Sequence, residues 1–144
     1  MSIVQTATTN FKIGLLDGTF NFDTGTTQTF KIALYTANAD LNASTTAYTT
    51  SGEVVGTGYT AGGQTLTVSQ VPTSTGTVAY LSFSDVSWPN STLTARAALI
   101  YKYDGSTNPA VAVLDFGSDK ITVGGTFQIV FPAATSTSAI IRIS

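Results

Sequence analysis

Eight carboxylates are the first candidates for chemistry: Asp17, Asp23, Asp40, Glu53, Asp85, Asp104, Asp115 and Asp119. They are spread singly along the chain. A glycosidase needs two such groups about 5–10 Å apart. A fold could bring Asp115 and Asp119 together, although no spacing in the chain requires it. Asp17, Asp23, Asp104 and Asp119 sit close to Gly or Thr, where turns are expected. There an aspartate caps its own turn rather than serving a reaction. Calcium is the one metal that oxygen ligands alone could hold, and the chain has no dense Asp-x-Asp-x-Asp loop for it. No metal, no cofactor and no catalytic residue is therefore expected.

The absent residue types say more. The chain has no His and no Cys. That excludes the Ser-His-Asp and Cys-His triads, imidazole acid–base work, zinc ribbons and disulfide frameworks. The segment Gly56-Thr57-Gly58-Tyr59-Thr60-Ala61-Gly62-Gly63 looks like a phosphate loop at first sight. It lacks the Gly-Lys-Ser/Thr of a P-loop and the strand–loop–helix setting of a dinucleotide site. It reads instead as a mobile or tightly bent loop that uses glycine's tolerance of positive φ. Tyr35, Tyr48, Tyr59, Tyr80 and Trp88 could form a sugar-stacking shelf, but a lone Trp in a β-sandwich more often plugs the core. Asn42-Ala43-Ser44 and Asn90-Ser91-Thr92 match the glycosylation sequon, a match that a Ser- and Thr-rich chain produces by chance.

Six basic residues against eight acidic ones give a net charge of −2. So few scattered cations cannot make the positive stripe that a phosphate backbone demands, and no direct nucleic-acid contact is expected. No apolar run approaches the roughly 20 residues of a membrane-spanning helix. The first ten residues have neither a basic n-region nor an apolar core, so no ordinary secretory signal is expected there.

The elements that must position these side chains are strands. The chain has 144 residues, of which only 10% are charged, with 13 Gly, one Glu and one Met. Thr- and Gly-rich clusters recur about every 8–12 residues between β-branched and aromatic runs, as in a sandwich or barrel. Phe30, Ile32 and Leu34 fall on alternate positions, with Lys31 on the other face. So do Ala95, Ala97, Leu99, Tyr101 and Tyr103, then Ala79, Leu81 and Phe83, then Phe127, Ile129 and Phe131. Period two places each set on one sheet face. Further strands are expected at Phe11–Leu16, Gln64–Ser69, Ala110–Phe116, Lys120–Val123 and Ser138–Ile143. Val111–Leu114 is apolar on both faces and reads as a central strand. Asp104-Gly105 and Gly124-Gly125 are expected turns. Residues 38–52 form either a long loop or a helical turn capped by Asp40. The expected fold is all-β, an antiparallel β-sandwich of about eight to ten short strands, with a jelly-roll as one form of it. Residues 1–10 are expected as an N-terminal arm and residues 11–144 as a single β-sandwich domain. The core should hold Phe30, Ile32, Leu34, Leu81, Phe83, Leu99, Tyr101, Val113, Phe127, Ile129 and Phe131.

Three stretches carry a resemblance. The first is Phe30-Lys-Ile-Ala-Leu-Tyr-Thr36 with Ser51-Gly-Glu-Val-Val-Gly-Thr-Gly-Tyr-Thr-Ala-Gly-Gly-Gln-Thr-Leu66. The second is Phe83-Ser-Asp-Val-Ser-Trp88 leading into Leu93-Thr-Ala-Arg-Ala-Ala-Leu-Ile-Tyr-Lys-Tyr103, and the third is Ala112-Val-Leu-Asp-Phe-Gly-Ser-Asp-Lys120. Together they resemble a group of small virion structural proteins of tailed bacteriophages. The resemblance implies a protein made in the host cytoplasm and carried in the virion, and it brings no catalytic residue. Capsid decoration suits a single compact domain. A tail-tube protein needs a long hairpin, which the sequence does not clearly display, and a fibre usually carries repeats. Other head–tail, tail or fibre roles, or a carbohydrate- or receptor-binding module, are the alternatives. The expected partners are the major capsid protein or other virion proteins, with further copies of the chain in the particle. Ile3 and Val4 of the arm, and Gly58, Tyr59 and Gly62 of the glycine-rich loop, are the expected contacts, Tyr59 as an aromatic anchor.

Overall fold

The computed structural model describes residues 2–23, 25 and 27–144. Its backbone is mostly antiparallel strand, in two sheets packed against one another. The elements are β1 (Thr6–Ala7), α1 (Thr9–Asp17), β2 (Thr29–Tyr35), β3 (Gln64–Leu66), β4 (Val68–Thr75), β5 (Val78–Phe83), β6 (Val86–Tyr103), β7 (Ala110–Ile129) and β8 (Ile141–Ile143). One sheet has five strands in the order β1-β7-β6-β2-β3, and the other has three in the order β4-β5-β8. This is the expected β-sandwich.

The hairpin β6–β7 dominates it, with strands of 18 and 20 residues. Its turn is held by two side chains that bond back to the backbone. Asp104 Oδ1 accepts from the N–H groups of Ser106 and Asn108, each at 2.9 Å. Asn108 Oδ1 accepts from Asp104 N at 3.0 Å and Gly105 N at 3.1 Å. The expected turn at Asp104-Gly105 is therefore present. Gly124-Gly125 is not a turn. It lies inside β7, where the register jumps from Ser91↔Gly125 to Leu93↔Thr122. Gly124, at φ 60°, takes up that bulge, so the runs expected at Lys120–Val123 and from Phe127 form one bent strand.

Two corrections concern the ends. Phe11–Leu16, expected as a strand, lies in the helix α1. Thr8 caps it by accepting from Phe11 N at 3.0 Å, and the Gly18 N–H closes it on Gly14 O. Only Phe11 and Gly14 of this helix are buried. The spacing Phe11, Ile13, Leu15 imitates strand alternation while Ile13 and Leu15 in fact stand exposed. Residues 2–10, expected as an arm, lie on the body. Val4 N donates to Leu41 O at 2.9 Å, Thr6 and Ala7 pair with Val113 and Ala112 of β7, and Thr8 is fully buried. Residues 38–52 form a loop with no helical turn, and the expected strand at Ser138–Ile143 is confined to its last three residues.

All the expected core residues are buried. They do not share one core, however. Phe30, Ile32, Leu34, Leu81, Phe83, Phe127, Ile129 and Phe131 pack between the two sheets with Trp88 and the rings of Phe11, Phe20 and Phe22. Leu99, Tyr101 and Val113 belong to a second cluster on the far face of the large sheet, with Tyr35, Ala39, Leu41 and Ala97. The loop between β2 and β3 covers that face. A register shift between Ala95 and Ala97 places Ala95 in the first cluster and Ala97 in the second. Strand β2 is accordingly buried on both faces from Ile32 to Tyr35.

Candidate functional site

The loop that covers the second face is organised by the chain's only glutamate. Backbone bonds from Thr36 N to Gly52 O (2.8 Å) and Val54 N to Leu34 O (3.0 Å) lay the segment beside β2. Glu53 is thereby carried to a buried position. Its Oε1 accepts from the Tyr48 hydroxyl at 2.6 Å. Its Oε2 accepts from the Tyr59 hydroxyl at 2.5 Å and from Gly62 N at 2.8 Å. The Tyr59 oxygen in turn accepts from Leu34 N at 2.9 Å. Tyr101 donates to Gly62 O at 2.6 Å, and its ring stacks on that of Tyr48 at 4.8 Å. Tyr35 donates to Thr49 O at 2.7 Å.

Each of these bonds joins the covering loop to the sheet or to itself. Gly63 permits the closest approach. At φ 76°, a Cβ on it would lie 1.8 Å from Ile32 O. Burial pushes the hydroxyls of Tyr35, Tyr48 and Tyr59 well above the usual phenol range. The Glu53 carboxylate adds to the effect at all three. Burial, with Glu53 second, pushes Tyr101 up to about 12. These tyrosines stay neutral donors. A carboxylate bonded to three donors of its own chain fastens the loop as a clasp.

The expected contact residues fall into this frame unevenly. Gly58, Tyr59 and Gly62 are parts of the clasp or its neighbourhood. The Tyr59 hydroxyl and both backbone groups of Gly62 are engaged, and the Tyr59 ring leans on Trp88 at 6.1 Å. The glycine-rich loop is a pinned cover, with Tyr59 turned inward. Ile3 packs against the second core cluster, whereas Val4 stands half exposed. Trp88 and Tyr35 are buried, so they offer no sugar shelf. Asp115 accepts from Arg96 Nε at 3.0 Å and from Gly117 N at 2.9 Å. The Gly117 bond first, and Arg96 second, hold its carboxyl below the usual range. Among the described residues, no group of three acidic side chains is placed to hold a metal ion.

The surface carries what the interior does not. Large apolar side chains stand in water: Leu16 is 91% exposed, Val55 96% and Val123 82%. A cavity of about 750 Å³ opens between α1, β1, the start of β7 and β8. Phe11, Leu15, Leu16, Leu114, Ile141 and Ile143 make it apolar, while Lys12 and Arg142 are the charged side chains that line it. Sequence reasoning missed this groove, because Phe11–Leu16 was expected as a strand and not as a helix. The exposed pair Leu15-Leu16 beside a Thr8…Gly18 capping frame was the available signal.

No family model, curated protein or solved structure matches the chain.

Proposed function

We propose that this chain is a non-enzymatic structural protein of a tailed-phage virion. The first reading is a capsid decoration protein that bridges neighbouring capsid subunits by surface contact. The observation that carries this is the distribution of polarity. Among the described residues, every buried side-chain nitrogen and oxygen has a hydrogen-bond partner, yet Leu16, Val55, Ile121, Val123 and Val130 are left in water on a body with few charges. Such a surface favours lasting contact with other proteins over free diffusion. The resemblance of the three sequence stretches to small virion proteins supports the same setting, with the major capsid protein or other virion proteins as partners and further copies in the particle.

The β6–β7 hairpin supports a second reading. Its strands of 18 and 20 residues supply the long hairpin that a ring-forming tail or neck protein uses. The test is binding of the purified chain to expanded heads. Near-stoichiometric binding with added resistance of the heads to heat is the expected result. Recovery of the protein at the neck or tail in small copy number, with no binding to heads, selects the second reading. Absence from every particle fraction refutes both.

A further inference from the structure

The groove between α1 and β8 lies between two open sheet edges. β1 is the outermost strand of the large sheet and β8 the outermost strand of the small one, and both line the cavity. Among the described residues, strand β8 pairs with β5 on one side only, through Ile141↔Leu81, Arg142↔Tyr80 and Ile143↔Ala79. The other side of β8 presents backbone donors and acceptors that an added strand would satisfy. The floor is apolar, the volume is that of a ligand-sized pocket, and both charged side chains at its rim are cations. Arg142 is steadied there by a bond from Nη1 to Thr137 O at 2.6 Å.

We propose that this groove receives an extended segment of a different particle protein, added as a strand along the free edge of β8, with an acidic residue set between two apolar ones. The pattern follows from strand geometry. A residue opposite Arg142 shares its sheet face, so a carboxylate there forms a cross-strand pair. Its two neighbours point to the other face, toward Ile141, Ile143 and Leu15, and are therefore apolar. Lys12 on α1 adds a second positive charge from across the groove. A fatty acid would match the apolar floor and the cations, but it would leave the edge of β8 unpaired. The open edge therefore selects a peptide.

This inference rests on the reading of the chain as an assembly component, and its test is separate from head binding. A library of short randomised peptides is selected against the purified full chain, with counter-selection against Leu16→Asp and Ile143→Asp. Both positions are exposed, so these variants should fold, which an unchanged melting temperature verifies. Enrichment of peptides with Asp or Glu between apolar residues is expected. Their affinity, read by fluorescence anisotropy, should fall roughly three- to tenfold in Arg142→Glu and less in Lys12→Glu, with stronger binding at low salt. Selected peptides without that pattern, or equal binding to Arg142→Glu, overturn the proposal. So does tight binding of oleate with no peptide selected. Self-association of the chain that Leu16→Asp abolishes also overturns it, because the groove would then belong to a second copy. If heads bind but no peptide is selected, the inference fails and the assembly reading stands. If peptides are selected but no particle contains the chain, the assembly reading fails.

Discussion

Replacing Glu53 tests whether one carboxylate fastens the loop over the second face. Glu53→Ala removes the acceptor of three donors: the Tyr48 and Tyr59 hydroxyls and Gly62 N. A hydrogen bond to a charged group contributes about 1.5–3 kcal/mol, and a buried donor left unsatisfied costs about 1–3 kcal/mol. Tyr48 is partly exposed and can turn to water, so its loss is small. Tyr59 and Gly62 carry most of the penalty. The expected loss is about 3–5 kcal/mol, a fall of roughly 10–20 °C in Tm for a domain of this size. Glu53→Gln should cost much less, about 1–2 kcal/mol. Its remaining oxygen can accept from Tyr59 and Gly62, and its amide can donate to a Tyr48 hydroxyl that rotates to accept. Tyr59→Phe also strips the acceptor of Leu34 N and should fall between the two. Paired with Glu53→Ala, it should be strongly non-additive in a double-mutant cycle, because both changes break one network. Denaturant melts monitored by circular dichroism read all four species. A Glu53→Ala protein as stable as the parent would refute the clasp, and so would a Gln variant less stable than the Ala variant.

The same cluster predicts an alkaline limit. The folded pKa values of Tyr35, Tyr48, Tyr59 and Tyr101 are raised, so the folded state holds protons that the unfolded state releases above about pH 10. Stability should be flat below that pH and fall steeply above it, with the tyrosinate absorbance of these four residues appearing together with unfolding; their ionisation at about pH 10 in a folded chain would contradict this. Gly63→Ala should fail to give soluble folded protein, since its Cβ would lie 1.8 Å from Ile32 O, whereas Gly124→Ala, with open space around it, should cost only about 1 kcal/mol by thermal melt. Phe83→Ala and Phe127→Ala should each cost about 3–5 kcal/mol, and a melt unmoved by both would contradict their burial between the sheets. EDTA should leave Tm nearly unchanged, and a large drop would reveal a cation among the loop aspartates.

Alternation made the strands and their buried residues legible, because period two is a property of the local chain. Phe30, Ile32 and Leu34 face the sheet–sheet core as read. What alternation could not show is how many faces a sheet buries. Leu99 and Tyr101 were read correctly as buried, but their core lies on the far side, under a loop without regular structure. Its Gly56–Gly63 part was read as mobile or tightly bent, and the positive φ of Gly58, Gly62 and Gly63 bears out the bent alternative. Its order comes from Glu53, whose partners lie 5, 6 and 9 residues away, a bonding pattern that no periodicity reports. Helix α1 was misread for the converse reason: the exposed Ile13 and Leu15 obeyed a rule written for buried residues.

The two errors have a common physical source, and it bears on function. The sequence reading assigned apolar residues to the interior and Gly-rich or tyrosine-containing loops to partners. The molecule departs from both assignments at Tyr59 and Gly62, whose polar groups bond internally, and at the exposed Leu16. Tyr59 and Gly62 are consumed in closing the second face, so their polar groups are spent internally. Leu15, Leu16 and Ile143 stand outside beside the open edge of β8. Removing apolar surface from water is favourable by about 25 cal/mol per Å², and a cover supplied by another protein must also offset the entropy of association. On the far face of the large sheet the chain supplies its own cover and fastens it with Glu53. At the groove it supplies a floor, an unpaired strand edge and two cations. On the proposed reading the cover there is another protein's strand, and the pattern it should carry follows from Arg142.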